Sequence, residues 1–181
     1  MIIIEGPDGA GKTTLITHLS ERLGLPIAPK VVDQDTNAMV DLRQWVDRNL
    51  KRRFHPCLYD RHRLLSEPIY STCLPGRKFD ETFWDFDWQS QAQYDLMNIR
   101  PIVVYCLPAL NIVRMNVEWG DENQVVRPHI DQIYRAYQAQ YHMLAARDIG
   151  NVSRYDYTDS RAENKALWIE RKIRERLVRG I

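Results

Sequence analysis

The sequence predicts an α/β fold: a doubly wound parallel sheet of five strands with flanking helices, in one domain over residues 1–181. Three observations lead there. Apolar runs of strand length alternate with helical patterns along the chain. A glycine-rich segment follows the first apolar run directly. The length of 181 residues suits one domain with a sizeable core.

The elements follow in order. Ile2-Ile3-Ile4 reads as a buried strand. Lys12 to Leu23 reads as a helix with Leu15, Ile16, Leu19 and Leu23 on one face, ended by Gly24 and Pro26. Ile27 to Val32 is a candidate second strand. Asn37 to Arg53 is helical, with Ala38, Leu42, Trp45 or Val46, and Leu50 as its apolar stripe. Cys57-Leu58-Tyr59 forms a short strand ending at Asp60-Arg61, and Pro68, Pro75 and Gly76 mark irregular structure beyond it. Phe83 to Asn98 is an aromatic-rich helix, and Ile102 to Leu107 is the clearest buried strand. Ala109 to Trp119 is helical and breaks at Gly120 to Asn123. Ile130, Ile133, Tyr134, Tyr137, Tyr141 and Leu144 give a 3.6-residue stripe, with the tyrosines as packing residues. Val152 to Tyr157 is the last strand. Ser160 to Glu163 has the pattern of a capping box opening a final helix to about Val178. In such a sheet, ligands belong at the carboxyl ends of the strands, where Gly6 to Thr13, Asp60-Arg61 and Pro108 fall.

Composition excludes little but points consistently. With 25 basic and 24 acidic residues, the chain has no global pull toward nucleic acid or an anionic membrane. No run of about 18 or more apolar residues suggests a membrane span, and Met1 to Ile4 is too short for a signal-peptide core. Cys57, Cys73 and Cys106 fit neither a zinc spacing nor a disulfide framework. The expectation is a cytoplasmic protein with free thiols. His62 and His129 lack metal spacing and read as surface or loop residues.

The chemistry concentrates in Gly6-Pro7-Asp8-Gly9-Ala10-Gly11-Lys12-Thr13, which matches G-x-x-x-x-G-K-[ST] without deviation between a strand and a helix. Glycines let backbone N–H groups converge on phosphate oxygens, and the helix N-terminus adds a favourable dipole. Lys12 should reach the β- and γ-phosphates of ATP, and the Thr13 hydroxyl should ligate Mg²⁺. Gly6, Asp8, Gly9, Ala10, Gly11, Lys12, Thr13 and Thr14 are thus the nucleotide-binding candidates. No Asn-Lys-x-Asp stretch is present for guanine recognition, which argues against a GTPase. Asp60 is the remaining metal or base candidate at a strand end.

At this point the sequence resembles thymidylate kinases and their relatives among nucleoside and nucleotide kinases. Glu5 to Leu15 is similar to that family's first motif, and Cys57 to His62 to its Asp-Arg-Tyr segment. His129 to Ala145 resembles the helix after the family's lid. The resemblance implies a P-loop kinase fold, with a lid at about 114–128 and ATP and Mg²⁺ as cofactors. It implies that Asp60 sits near the metal and the acceptor oxygen, and that Arg61 clamps the acceptor's phosphate. It further implies that Asp8 accepts from a sugar 3′-hydroxyl, and that Arg114 and Arg127 neutralise charge on the transferring phosphoryl group. Acceptor contacts are expected from Glu67, just past the Asp-Arg end, and from Tyr70. Trp84, Trp88, Gln91 and Tyr94 lie on the helix where the family places base contacts; Trp88 suits stacking and Gln91 reading of a base edge. Dimers are common in that family, so a homodimer is a candidate assembly.

The departures bear on the acceptor. His62 stands where the family usually has Tyr, Ser66-Glu67-Pro68 follows, and the lid holds Glu118, Asp121 and Glu122. These features resemble compact virus-encoded kinases, some of which phosphorylate 5-hydroxymethyluracil already in DNA. Three acceptors stay open: a pyrimidine deoxynucleoside monophosphate, a modified base in DNA, and a free deoxynucleoside. The clusters Lys51-Arg52-Arg53 and Arg61-His62-Arg63 motivate the DNA acceptor, and Arg61 with Asp8 motivates the monophosphate, which is the leading expectation.

Overall fold

Four apolar segments become strands of one parallel sheet in the computed structural model, which describes residues 1–29, 42–51, 56–75, 85–120, 124–147 and 151–179. They are β1 (Ile2–Glu5), β2 (Leu58–Asp60), β3 (Ile102–Cys106) and β4 (Val152–Tyr155), in the spatial order β2-β1-β3-β4. Registers pair Ile3 with Tyr59 and with Val103, and Tyr105 with Arg154. All of β1 and β3 is buried, so both sheet faces are covered, as continuous Ile/Val runs require. Burying each such aliphatic side chain stabilises the fold by about 1.5–3 kcal/mol.

The helices among the described residues are α1 (Lys12–Leu23), α2 (Leu42–Lys51), α3 (Arg63–Cys73), α4 (Phe86–Asn98), α5 (Leu110–Trp119), α6 (Ile130–Ala146) and α7 (Ala162–Val178). α1 and α7 pack on each other and on the sheet, while α3, α5 and α6 form a second group that α2 and α4 extend. No described helix is long and apolar enough to cross a membrane. The chain leaves β1 for β2 on one side and β3 on the other. That places the reversal of strand order at the loop after β1, the position where open α/β sheets bind ligands.

The structure corrects the sequence expectation at several elements. Among the described residues the sheet has four strands, not five. Ile27 makes only an isolated parallel bridge to Leu58, with Ala28 N donating to Leu58 O at 2.7 Å, and residues 30–32 lie outside the described residues. The Pro26 and Pro29 that bracket this segment restrict ladder pairing. The stretch after Asp60-Arg61 is helix α3 rather than irregular, although Pro68 lies inside it. An interior proline costs roughly 3 kcal/mol, but burial of Leu64, Leu65, Ile69, Tyr70 and Cys73 outweighs that. Ser71 and Thr72 hydroxyls both donate back to Pro68 O. The capping box at Ser160 does not form. α7 starts one residue later than the box requires, with Arg161 at the N-cap, and Asp159 Oδ1 takes the Arg161 N–H at 2.8 Å instead. The expected extensions of the second helix to Asn37 and Arg53, and of the fourth to Phe83, fall outside the described residues, as do Trp84 and lid residues 121–123.

Candidate active site

The glycine loop follows β1, whose buried run ends at Glu5. Gly6 takes φ 140° because a Cβ there would lie 2.5 Å from the Cys106 carbonyl oxygen, so the loop can cross the end of β3 only without a side chain. Gly11 caps α1 at φ 77°, and a Cβ would meet the Tyr157 ring at 2.8 Å. Among the described residues no side chain caps α1, and its first turn has no carboxylate, so the N–H groups at this end face the loop. Lys12 is buried and its Nζ donates to Pro7 O at 2.6 Å, folding the ammonium back over the loop. Burial pushes that amine down to about 8. The Arg61 charge adds to the effect, and Asp8 and Asp60 oppose it.

The end of β2 is fastened to this loop. Arg61 adopts the left-handed φ of 65°, with its N–H donating to Ile4 O at 2.9 Å. Its Nε donates to Gly6 O at 3.3 Å and its Nη2 to Asp8 Oδ1 at 2.6 Å. Tyr70, from α3, donates to Asp8 Oδ2 at 2.7 Å and lies under the Arg61 guanidinium at 5.0 Å. Burial would raise the Asp8 carboxyl, but the Arg61 and Lys12 charges and the two donors hold it below its ordinary range. Asp60 Oδ1 is buried and accepts no hydrogen bond among the described residues. Asp60 and Thr13 line one cleft of about 320 Å³ with Arg61 and Arg63. A carboxylate with an unpartnered oxygen and a hydroxyl-bearing residue on one cleft supply the hard oxygen donors that Mg²⁺ prefers, so the residues present fit that ion.

Beneath this corner lie two buried titratable groups. Glu5 is fully buried and its Oε1 accepts from His62 N at 2.7 Å, while Oε2 has no partner among the described residues. Burial pushes its carboxyl up to about 7, against the opposing pull of the His62 N–H, Arg61 and Lys12. His62 is also fully buried, between Trp45 at 5.3 Å and Tyr59 at 5.7 Å, with both ring nitrogens unpartnered among the described residues. This corrects its reading as a surface or loop residue: it is the N-cap position of α3, turned inward onto aromatics. Burial lowers its pKa to about 3, so it stays neutral.

A second cavity, of about 720 Å³, opens on the other side of the loop. Thr14 and His18 of α1, Asn116 of α5, Tyr155 and Tyr157, and Leu167 of α7 line it. Thr13 and Thr14, adjacent on α1, therefore face different cavities, as helical geometry allows. Asn116 Nδ2 donates to both Gly9 O and the Tyr157 hydroxyl at 2.7 Å, which ties α5 to the loop.

The structure thus brings Asp8, Lys12, Arg61 and Tyr70 together, with Thr13 and Asp60 beside them. Other expected residues are placed elsewhere. Glu67 is on α3, not in a loop, and is buried against Arg63 Nη1 at 2.5 Å. Trp88 donates to Asp47 Oδ1 at 3.1 Å, joining α4 to α2, and Gln91 is exposed and bonded to Asp95 in its own helix. Arg114 makes a two-pronged pair with Asp131 of α6, and Arg127 donates to Glu118 O at 2.8 Å, capping α5. Asn116, Tyr157, Glu5 and His62 were missed as site residues. Glu5 carried a signal, an acid closing an otherwise apolar strand; Asn116 and Tyr157 carried none, since only tertiary folding brings them to Gly9 and Gly11.

No family model matches the chain, and no curated protein does. Solved structures do. A YorR protein from Bacillus subtilis in complex with phosphorylated GDP aligns over 96% of this chain and 95% of its own, at 16% identity and TM-score 0.64. Deoxyadenosine kinase from M. mycoides with bound dATP aligns over 96% and 98%, at 16% identity and TM-score 0.58. The same enzyme with products dCMP and dCDP gives TM-score 0.57 at 17% identity. The chain has the fold of these proteins.

Proposed function

We propose that this chain is an ATP- and Mg²⁺-dependent kinase of the thymidylate kinase-like group, transferring the γ-phosphoryl group to a pyrimidine deoxynucleoside monophosphate. The observation that carries this is the joining of the Asp60-Arg61 corner to the phosphate loop through the 2.6 Å Arg61–Asp8 contact. Arg61, Asp60 and Thr13 line one cleft beside that loop, which supports reading the guanidinium as acceptor-side. The N–H groups at Gly11 and the start of α1, with Lys12, would bind the β- and γ-phosphates. The cavity lined by Thr14, Asn116, Tyr157 and Leu167 would take the base and sugar of ATP. Thr13 and Asp60 would hold Mg²⁺, which supplies charge neutralisation at the β- and γ-phosphate oxygens.

In the transfer, the acceptor oxygen bonds to the γ-phosphorus as the bond to the β,γ-bridging oxygen breaks; Asp60 orients a monophosphate's attacking oxygen, which is already ionised, and would take the proton of a hydroxyl acceptor. Arg61 orients the acceptor, and Asp8 retains lone pairs for a sugar hydroxyl while accepting from Arg61 and Tyr70. Segment 114–128 would act as the lid. Its Arg114 and Arg127 must leave Asp131 and Glu118 O to reach the phosphates.

A second reading, a free deoxynucleoside as acceptor, draws on the engagement of Arg61 with Asp8 and Gly6 O, which occupies part of the guanidinium that a phosphate would need. The DNA acceptor loses one of its motives. Arg61 is ion-paired, His62 is buried and Arg63 pairs with Glu67, so this triplet is no exposed basic track; Arg52 and Arg53 lie outside the described residues. The test is an acceptor screen with γ-labelled ATP and Mg²⁺ against dTMP, dUMP, dCMP, the free deoxynucleosides, and DNA with and without 5-hydroxymethyluracil. Label on a monophosphate supports the leading reading. Label only on nucleosides or only on modified DNA overturns it.

A further inference from the structure

Arg61 and Arg63 flank the inward-turned His62, and both line the cleft that holds Thr13 and Asp60. His62 is extended, so side chains alternate there: the imidazole enters the core and the two arginines border the cleft. Their guanidiniums are committed differently. Arg61 directs Nε to Gly6 O at 3.3 Å and Nη2 to Asp8 Oδ1 at 2.6 Å. That occupies its Nε–Nη2 edge, one of the edges that can hold an oxyanion by two parallel bonds. Arg63 makes one ion pair, from Nη1 to Glu67 Oε1 at 2.5 Å. Its Nε and Nη2 donate to no group among the described residues, and its side chain is 24% exposed.

Glu67 lies one turn further along α3 and is buried. A carboxylate withdrawn from water holds an arginine firmly, so the pair fixes the Arg63 side chain through Nη1 and leaves the Nε–Nη2 edge for a ligand. Arg63 is also the first residue of α3. The first turn of that helix carries no carboxylate and no side-chain cap among the described residues, so the helix end favours an anion at the same place. Asp60 makes a second cation more pressing. A nucleoside monophosphate brings close to two negative charges at neutral pH, into a cleft that already holds this carboxylate. Arg61 meets that charge while already paired with Asp8.

We propose that Arg63 determines acceptor specificity: its Nε–Nη2 edge binds the 5′-phosphate of a nucleoside monophosphate, and Glu67 is the positioning residue that holds it there. This rests on the monophosphate reading above and adds the group that separates a monophosphate from its free nucleoside. Arg61 keeps its bonds to the loop and contributes its remaining Nη1 donors alongside. A free nucleoside offers Arg63 no anion, so the residue would be indifferent to it.

Calorimetric titration and steady-state kinetics with dTMP, dUMP and dCMP, each beside its free nucleoside, test this in wild-type, Arg63→Ala and Arg63→Lys proteins. For the monophosphate that the wild type uses, Arg63→Ala should raise Kd and KM by about tenfold or more, as for lost charge-assisted hydrogen bonds, while the KM for ATP and nucleoside binding stay within about twofold. Arg63→Lys keeps a cation for Glu67 but not the fork, which guards against misfolding from loss of that pair. It should still weaken the monophosphate several-fold. Wild-type binding should tighten as pH rises through about 6, where the phosphate takes its second charge, and that slope should flatten in Arg63→Ala. Monophosphate Kd and KM unchanged in both variants would overturn the role of Arg63 and leave the monophosphate reading standing. Equal losses for monophosphate and nucleoside would also overturn it, by making the residue structural. A wild-type protein that binds only free nucleosides would overturn both.

Discussion

Arg61 and Asp8 face each other at 2.6 Å across the junction between the loop after β1 and the turn after β2, with side chains only 20% and 16% exposed. The pair is thus largely withdrawn from water, and removing one member leaves the other charge uncompensated. Arg61→Ala should lower unfolding stability by roughly 3 kcal/mol. Adding Asp8→Asn should recover part of that loss, because the two side chains are coupled. Urea titrations of the four proteins of the cycle check both statements; additive losses would show that the pair contributes nothing of its own.

Lys12→Ala removes the only ammonium folded over the phosphate loop among the described residues. Turnover should fall by about two orders of magnitude or more, the size of loss seen for electrostatic transition-state contacts. Stopped-time assays with the acceptor identified by the screen measure it, and a near-wild-type rate would sink the P-loop mechanism.

Asp60→Asn keeps the volume of a side chain whose Oδ1 lacks a partner among the described residues but removes its charge and basicity. Transfer should be abolished while ATP affinity, measured by calorimetry, stays close to wild type. Surviving transfer would mean that another group orients or deprotonates the acceptor.

The buried pair beneath the site predicts opposing pH dependences. Glu5 is raised from 4.5 to about 7 on folding, so its contribution is full below pH 4.5 and is lost as pH rises through 7. That window integrates to roughly 3 kcal/mol, and Glu5→Gln should flatten it. His62 is lowered from 6.5 to about 3, so its contribution is full above pH 6.5 and is lost as pH falls toward 3. His62→Phe, which keeps the ring between Trp45 and Tyr59, should extend stability on the acid side. Denaturation midpoints across pH 3 to 8 separate the two; unchanged curves would place both groups in contact with water.

Much of the fold, and the placing of the glycine loop between β1 and α1, was legible because it rests on local pattern. Continuous Ile/Val runs announce strands buried on both faces, and the Gly/Lys/Thr spacing of residues 6–13 encodes a loop that few other structures need. α3 was not legible, because Pro68 argues locally against a helix that only the burial of Leu64, Leu65 and Ile69 sustains. The described part of the expected fifth strand is only a bridge at Ile27, where Pro26 and Pro29 stand close on either side and restrict ladder pairing. Side-chain destinations were least legible. Nothing in the sequence says that Arg114 will find Asp131, or that Trp88 will find Asp47. Those pairings depend on how separate helices come to rest against one another.

The contact between Gly6 and the Cys106 carbonyl distributes constraint unevenly over the two positions. The clash that forbids a side chain at residue 6 is with a backbone oxygen, which every amino acid carries. A library randomised at both sites should therefore collapse to glycine at position 6 while position 106 continues to accept other small apolar residues. Of two chain segments in van der Waals contact, only one has its spelling fixed by the encounter.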